Sequence, residues 1–300
     1  MDPKPIDRSE QRDEMLPDID WSRAPIGTVA TTFDAPSGPL AVLSMGDPTK
    51  PRVVLVPGVT GSKEDFHFLF PELVESGYYV QSYDLAGQYE SWQAGPEHLD
   101  PPQEHYDYDL FFDDMVAFLS AGSTPVHLLG YSFAGIIAQL VLVRRPDLVA
   151  SLTLLSSPPL VGQTFRGVKW IGPFSGVCSP KVIAGLMKWG VVNGLNKVTP
   201  GRLKFVRDRF ALTRPESHVD IMGLMKKIPD LRADLRKASV PLAVAVGTHD
   251  LWSLRQHRRF ASSIGATIAV YRTGHSPCET APYQLSRDLL ALFEKALQSR

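Results

Sequence analysis

Six short apolar runs recur along this chain, at residues 52–56, 78–83, 126–129, 152–155, 241–246 and 267–271. Between and after them lie stretches of helical character, at 65–75, 136–144 and 283–297. In the last of these Leu285, Leu289, Leu292, Phe293 and Leu297 return at helical spacing. A strand that is apolar on successive residues must be covered on both faces, and parallel strands need crossovers long enough to hold a helix. The pattern predicts an α/β chain, with a mostly parallel sheet and helices on both faces. Two further extended segments, 26–33 and 39–43, precede the first run, with Ser37-Gly38 suited to the turn between them. They predict an antiparallel hairpin at one sheet edge and bring the sheet to eight strands.

One interval breaks the rhythm. Between Leu155 and Pro241 there are helical and loop patterns but no clear strand, over a length that no ordinary crossover needs. Residues 158–228 are therefore read as an inserted helical lid or cap, which divides the core into 26–157 and 229–300. Residues 1–25 are rich in Asp, Glu and Pro and hold little apolar surface to offset their ordering, so a flexible arm is expected. The arm has no apolar core of a signal peptide, and no run in the chain approaches the roughly 18 apolar residues of a membrane span. A cytoplasmic protein with no integral membrane segment is expected.

The formal net charge over the 300 residues is −1, so no global field draws nucleic acid or an acidic membrane. Cys178 and Cys278 have neither CxxC spacing nor a metal-ligand pattern and are read as reduced thiols.

The chemistry is concentrated at Gly130-Tyr131-Ser132-Phe133-Ala134-Gly135. A strand runs directly into a helix through a tight turn, with small residues on both sides of a serine. This is the pattern of a nucleophile elbow. The serine must take a strained backbone conformation for its Oγ to project from the sheet. Gly130 and Ala134 must be small because strand and helix backbones crowd there. The amide of Phe133 then faces a developing oxyanion at a helix N-terminus.

From Val53 to the C-terminus, most weakly in the proposed cap, the chain resembles the α/β-hydrolase superfamily, in its lid-bearing branch of esterases and lipases. The resemblance implies an eight-stranded α/β-hydrolase sheet and a triad in the chain order serine, acid, histidine. The acid position after a late strand is matched by Asp250, and the base position after the last strand by His275 within Gly274-His275-Ser276-Pro277. The alternative acid position of the family, after the strand ending at Leu155, holds Ser156 and Ser157. His249, beside the acid, is a weaker candidate for the base. The second oxyanion donor of the family corresponds to the amide of Val59, in Pro57-Gly58-Val59-Thr60-Gly61-Ser62. Here Pro57 replaces the usual histidine, and Thr60 or Ser62 is expected to order the loop in its place. Asp84-Leu85-Ala86-Gly87-Gln88-Tyr89 resembles a further family loop, with Tyr89 in place of a second glycine. Asp84 is read as structural.

The resemblance implies cleavage of a carboxylic ester, or a related acyl bond, in a small and apolar substrate through an acyl-enzyme, with no cofactor and no metal. A serine at the elbow sets the chain apart from dehalogenases and epoxide hydrolases of this fold, which carry aspartate there. A C–C bond hydrolase, a cofactor-free haloperoxidase and a catalytically silent ligand-binding protein remain open alternatives. Trp170, Phe174 and Trp189 of the proposed cap are candidates to line the substrate pocket. The bases of the cap, Arg202 and Arg209 among them, are expected to sit in solvent or to meet an anionic substrate end. The partner expected is a small-molecule acyl substrate; oligomeric state is left open.

Overall fold

The computed structural model describes residues 8–168, 181–182 and 199–298. Its centre is the eight-stranded, mostly parallel sheet that the apolar runs predict. The strands are β1 (Val29–Ala35), β2 (Gly38–Met45), β3 (Arg52–Val56), β4 (Tyr79–Tyr83), β5 (Val126–Tyr131), β6 (Val149–Leu155), β7 (Leu242–Gly247) and β8 (Thr267–Tyr271). They lie in the order β1-β2-β4-β3-β5-β6-β7-β8. Only the pairs β1/β2 and β2/β4 are antiparallel. The hairpin turn is one residue earlier than the sequence suggests: Ala35 pairs with Gly38, so Pro36-Ser37 form the turn and Gly38 already belongs to the strand.

The two-residue period of a strand sends alternate side chains to opposite faces. Val54 and Val56 of β3 join one apolar cluster with Leu128 of β5, while Val53 and Leu55 join the other with Leu129. The first cluster is closed by α3 (Tyr108–Ser120), α4 (Phe133–Arg144) and the helix Leu254–Ile264, called α8 below. The second is closed by α2 (Leu69–Glu75) and, beyond the short α9 (Pro277–Thr280), by the last helix, α10 (Pro282–Gln298). α4 is buried at every position from Phe133 to Leu142. A helix without a polar face fits only the middle of such a layer, and that placement brings its first turn to the carboxyl end of β5.

The segment between β6 and β7 contains α5 (Pro200–Leu212), α6 (Pro215–Leu224) and the short α7 (Arg232–Leu235). Among the described residues it contributes no strand to the sheet. One isolated bridge, Gly162 with Ile228, closes the base of the segment. Among the described residues no helix is long and apolar enough to cross a membrane. Cys278 is free and buried; Cys178 lies outside the described residues.

Of the arm, residues 8–25 are described, and specific contacts hold them. Residues 8–14 form α1 (Arg8–Glu14), and Asp13 accepts the backbone N–H groups of Tyr283 and Gln284 at 2.9 and 3.2 Å. Asp13 thus satisfies donors that the start of α10 leaves open. Arg12 pairs with Glu72, and Trp21 is buried against Phe68 and Phe205. A few polar contacts and one large aromatic supply the ordering that composition does not reveal.

Ser37, in the first turn, donates its N–H and its hydroxyl to the two oxygens of Asp114, at 3.0 and 2.6 Å. Burial pushes the Asp114 carboxyl up to about 7, against the pull of these two bonds, and Asp113 adds to the rise. The folded chain thus holds a proton that the unfolded chain releases near the ordinary carboxylate range. The stability contributed is complete below about pH 4 and is lost as pH rises through about 7. Asp114→Asn keeps a carbonyl for the Ser37 N–H and removes the titration. The variant is expected to gain on the wild type by up to about 4 kcal/mol between pH 4 and 8 in urea unfolding. A pH-independent difference would contradict the burial of an ionisable group there.

Candidate active site

Four loops, at the carboxyl ends of β3, β5, β7 and β8, converge. Ser132 stands between β5 and α4 with φ 51° and ψ −117°, a conformation that a non-glycine residue holds only when its surroundings enforce it. Its own N–H is taken by the Leu155 carbonyl of β6 at 2.8 Å, and its carbonyl accepts the N–H of Gly135 at 3.0 Å. A Cβ on Gly130 would lie 2.7 Å from the Ala134 carbonyl oxygen and from the Gly135 α-carbon. One on Gly135 would collide with Ser157. The small residues are therefore what lets α4 leave the strand so abruptly.

Asp250 and His275 come from adjacent loops that are joined along their backbones. Thr248 N–H bonds the Tyr271 carbonyl at 2.8 Å, and His249 N–H bonds that of Thr273 at 2.9 Å. Gly247 permits this approach, since a side chain there would overlap the carbonyls of Thr273 and Gly274. His275 Nδ1 lies 3.0 Å from Asp250 Oδ2, and His275 Nε2 lies 3.3 Å from Ser132 Oγ. The structure thus brings Ser132, His275 and Asp250 into one chain of contacts. His249 is not part of it: its side chain is exposed and its Nδ1 meets Thr248 Oγ1 at 3.0 Å.

The second oxygen of Asp250, Oδ1, accepts the backbone N–H of Trp252 at 3.0 Å and faces His257 Nε2 at 3.3 Å. Burial would push this carboxyl up, but the two imidazoles beside it, His275 first, hold it well below the usual carboxylate range. Asp250 is therefore a carboxylate at neutral pH. Trp252 is buried, and its indole N–H donates to the Thr164 carbonyl at 2.9 Å. It closes the side of the site beside both histidines, with ring centroids 5.9 Å from His275 and 6.4 Å from His257.

The two candidate oxyanion donors border the serine. Phe133 is the first residue of α4, where an N–H has no helical carbonyl to bond. Val59 follows Gly58, whose α-carbon packs on the serine so closely that a Cβ would sit 2.8 Å from Ser132 Cβ. The loop is not ordered by the side chain of Thr60 or Ser62 alone. Thr60, at φ 61°, donates its N–H to Gln88 Oε1 at 2.6 Å, and Ser62 donates its N–H to Asp65 Oδ2 at 3.2 Å. Asp84 accepts the Lys63 N–H at 2.7 Å and its ammonium at 2.9 Å, a structural role. Tyr89 has φ 44°, a left-handed backbone conformation uncommon for a non-glycine residue.

Behind this loop lies a buried ionic cluster that the sequence does not announce. Arg202 and Arg209 of α5 both reach Asp65, at 2.6 and 2.5 Å, and Arg202 also reaches Glu279 at 2.5 Å. These two bases are buried, unlike the solvated charges expected of that segment. Their partners lie 137 and 144 residues away in sequence for Asp65, and no local pattern could pair them. Trp170, Phe174 and Trp189 lie outside the described residues. Among the described residues no group of three or more His, Cys, Asp or Glu side chains could hold a metal ion.

Residues 53–287 match the alpha/beta hydrolase family. Among curated proteins, the sn-1-specific diacylglycerol lipase ABHD11 of Mus musculus is 31% identical over 121 residues, covering 40% of this chain and 36% of that protein. The chain thus spans about a third of the length of the curated relative it matches. Among solved structures, the enol-lactonase from Burkholderia xenovorans LB400 aligns with a TM-score of 0.71 at 17% identity, over 88% of this chain and 100% of that one. A putative aryl esterase from Burkholderia cenocepacia aligns with a TM-score of 0.68 at 21% identity, over 90% and 100%. These two likenesses are of fold.

Proposed function

The chain belongs to the alpha/beta hydrolase family, and on that premise we propose that it is a serine hydrolase cleaving a carboxylic ester of a small, apolar substrate. The observation that carries this reading is the relay from Asp250 Oδ2 through His275 to Ser132 Oγ, at 3.0 and 3.3 Å, with the serine at a strained elbow. The lipase relative supports an acyl substrate, and the fold likenesses to an esterase and a lactonase are in keeping with it.

In this mechanism the Asp250 carboxylate accepts the Nδ1–H of His275, which leaves the Nε2 lone pair facing Ser132. As Oγ attacks the ester carbonyl, Nε2 takes its proton, and Asp250 stabilises the imidazolium. The carbonyl oxygen gains a negative charge that the N–H groups of Val59 and Phe133 hold. When the intermediate collapses, the C–O bond to the alcohol breaks and the leaving oxygen takes the proton from Nε2. Water then gives a proton to Nε2 and attacks the acyl carbon. Collapse of the second intermediate returns the proton to Ser132 and frees the acid.

We read 158–228 as the cap over this site. α5 is fastened through Asp65 to the loop that carries Val59, and through Glu279 to the segment after His275. Trp170, Phe174 and Trp189 are proposed as apolar walls of the acyl pocket.

A fluorophosphonate probe tests the nucleophile directly. The wild-type protein is expected to be labelled at Ser132, and Ser132→Ala to remain unlabelled. Equal labelling of both proteins defeats the assignment.

A further inference from the structure

The reaction as written uses one imidazole on Asp250, yet the carboxylate has two. We propose that His257 is a positioning residue: its imidazole donates Nε2–H to Asp250 Oδ1, so that Oδ2 is held toward His275 and its charge is shared between two donors. This rests on the serine hydrolase reading above.

The placement of His257 is enforced from its own helix. α8 begins at the Ser253 cap, where Ser253 and Gln256 bond each other's backbone N–H groups, and His257 N–H returns to the Ser253 carbonyl at 3.2 Å. That first turn directs the imidazole inward, where it is fully buried with Nε2 3.3 Å from Oδ1. Nδ1, the other ring nitrogen, is buried and has no partner among the described residues.

These contacts select a tautomer. A proton on Nε2 meets a carboxylate oxygen. A proton on Nδ1 instead would be a buried donor with nothing to receive it, and would set the Nε2 lone pair against the carboxylate oxygen. His257 thus carries its hydrogen on Nε2, where Asp250 Oδ1 receives it. The Trp252 N–H already turns Oδ1 in the right direction, at 3.0 Å. An apolar side chain would avoid burying the unpaired nitrogen, so the imidazole needs a reason to be there. Its contact with the triad carboxylate is that reason.

The consequence falls on His275. Each donor on a carboxylate lowers its basicity, and so weakens its hold on an imidazolium across from it. His257 thereby tempers the pull of Asp250 on His275, and its loss is expected to show in the pH profile of Ser132. The other charges near His257 do not intrude. Arg255, Arg258 and Arg259 of α8 are exposed, as are Arg232, Asp234, Arg236 and Lys237 of α7 with its following turn, and His249 of the acid loop. β7 and β8 contribute no charged side chain.

The test is the pH dependence of fluorophosphonate labelling at Ser132, with thermal unfolding as the control on folding. His257→Leu is expected to move the acidic midpoint of the labelling rate upward by about half a unit or more. His257→Gln, whose amide N–H can stand near the place of Nε2–H, is expected to return it toward the wild-type value. A purely structural residue would change the unfolding temperature and leave the midpoint alone, and that result overturns the proposal. The wild-type protein supplies a second measurement that needs no variant. Nitrogen NMR of the imidazoles is expected to find the His257 hydrogen on Nε2, and a hydrogen on Nδ1 alone overturns the proposal. Failure of the underlying reading is separate: it shows as no labelling of the wild type, or labelling that survives Ser132→Ala.

Discussion

Asp250→Asn is expected to lower the turnover of a simple ester by about 10⁴-fold without unfolding the protein. The reason lies in the three groups around the carboxylate. The backbone N–H of Trp252 can only donate, so the asparagine carbonyl must face it, and His257 Nε2 approaches the same oxygen. The amide NH₂ is then left facing His275 Nδ1, where a hydrogen-bond acceptor is needed. His275 shifts its hydrogen to Nε2 and presents a donor to Ser132 in place of a lone pair. Reversing the amide sets two donors against its NH₂. Steady-state kinetics on a p-nitrophenyl ester, with an unfolding curve beside them, measures this. A loss within tenfold would mean that Asp250 does not govern the tautomer of His275.

Asp65→Ala is expected to destabilise the fold by about 3–5 kcal/mol, read from urea unfolding at neutral pH. Asp65 is buried between two guanidiniums, and removing it leaves Arg202 and Arg209 facing the single carboxylate of Glu279. An uncompensated buried charge costs far more than an exposed pair is worth. Lys204→Ala, which breaks the exposed pair with Asp208 on the same helix, is the control, expected to cost about 1 kcal/mol or less. Burial raises the Asp65 carboxyl, but Arg209 and Arg202 more than reverse this and hold it below the usual range. Its contribution is therefore present above the unfolded-state value near pH 4 and is lost as pH falls below that. Activity is expected to fall as well, because Asp65 also accepts the Ser62 N–H at the end of the loop carrying Val59. Similar costs for the two variants would mean that water reaches the cluster.

The parts of this molecule that were legible in its sequence are those whose cause is local. Apolar runs must be covered, so 52–56 and 126–129 read as strands inside a parallel sheet. The elbow was legible because Gly130, Ser132, Ala134 and Gly135 meet constraints imposed by their immediate neighbours, and Ser132 does stand at φ 51°. The contacts of residues 8–25 were not legible because they are long-range. Asp13 reaches the start of α10, 270 residues later, and nothing in residues 1–25 signals that partner.

The sequence by itself determined the layers, the order of the strands' chemistry along the chain, and which serine the backbone would raise above the sheet. The reason is that strand burial and tight turns depend on residues a few positions apart. Only the tertiary structure decided that Asp250 serves two imidazoles, that Gln88 and Asp65 order the loop where Pro57 stands, and that two arginines of α5 lie buried on one carboxylate. Some are pairings across 25 to 144 residues, as of Asp250 with His275 and Asp65 with Arg209; the nearer ones, Asp250 with His257 and Asp65 with Ser62, form only because the folded turns aim both groups at one point. Their energies depend on distance and on exclusion of water, which exist only once the chain has folded.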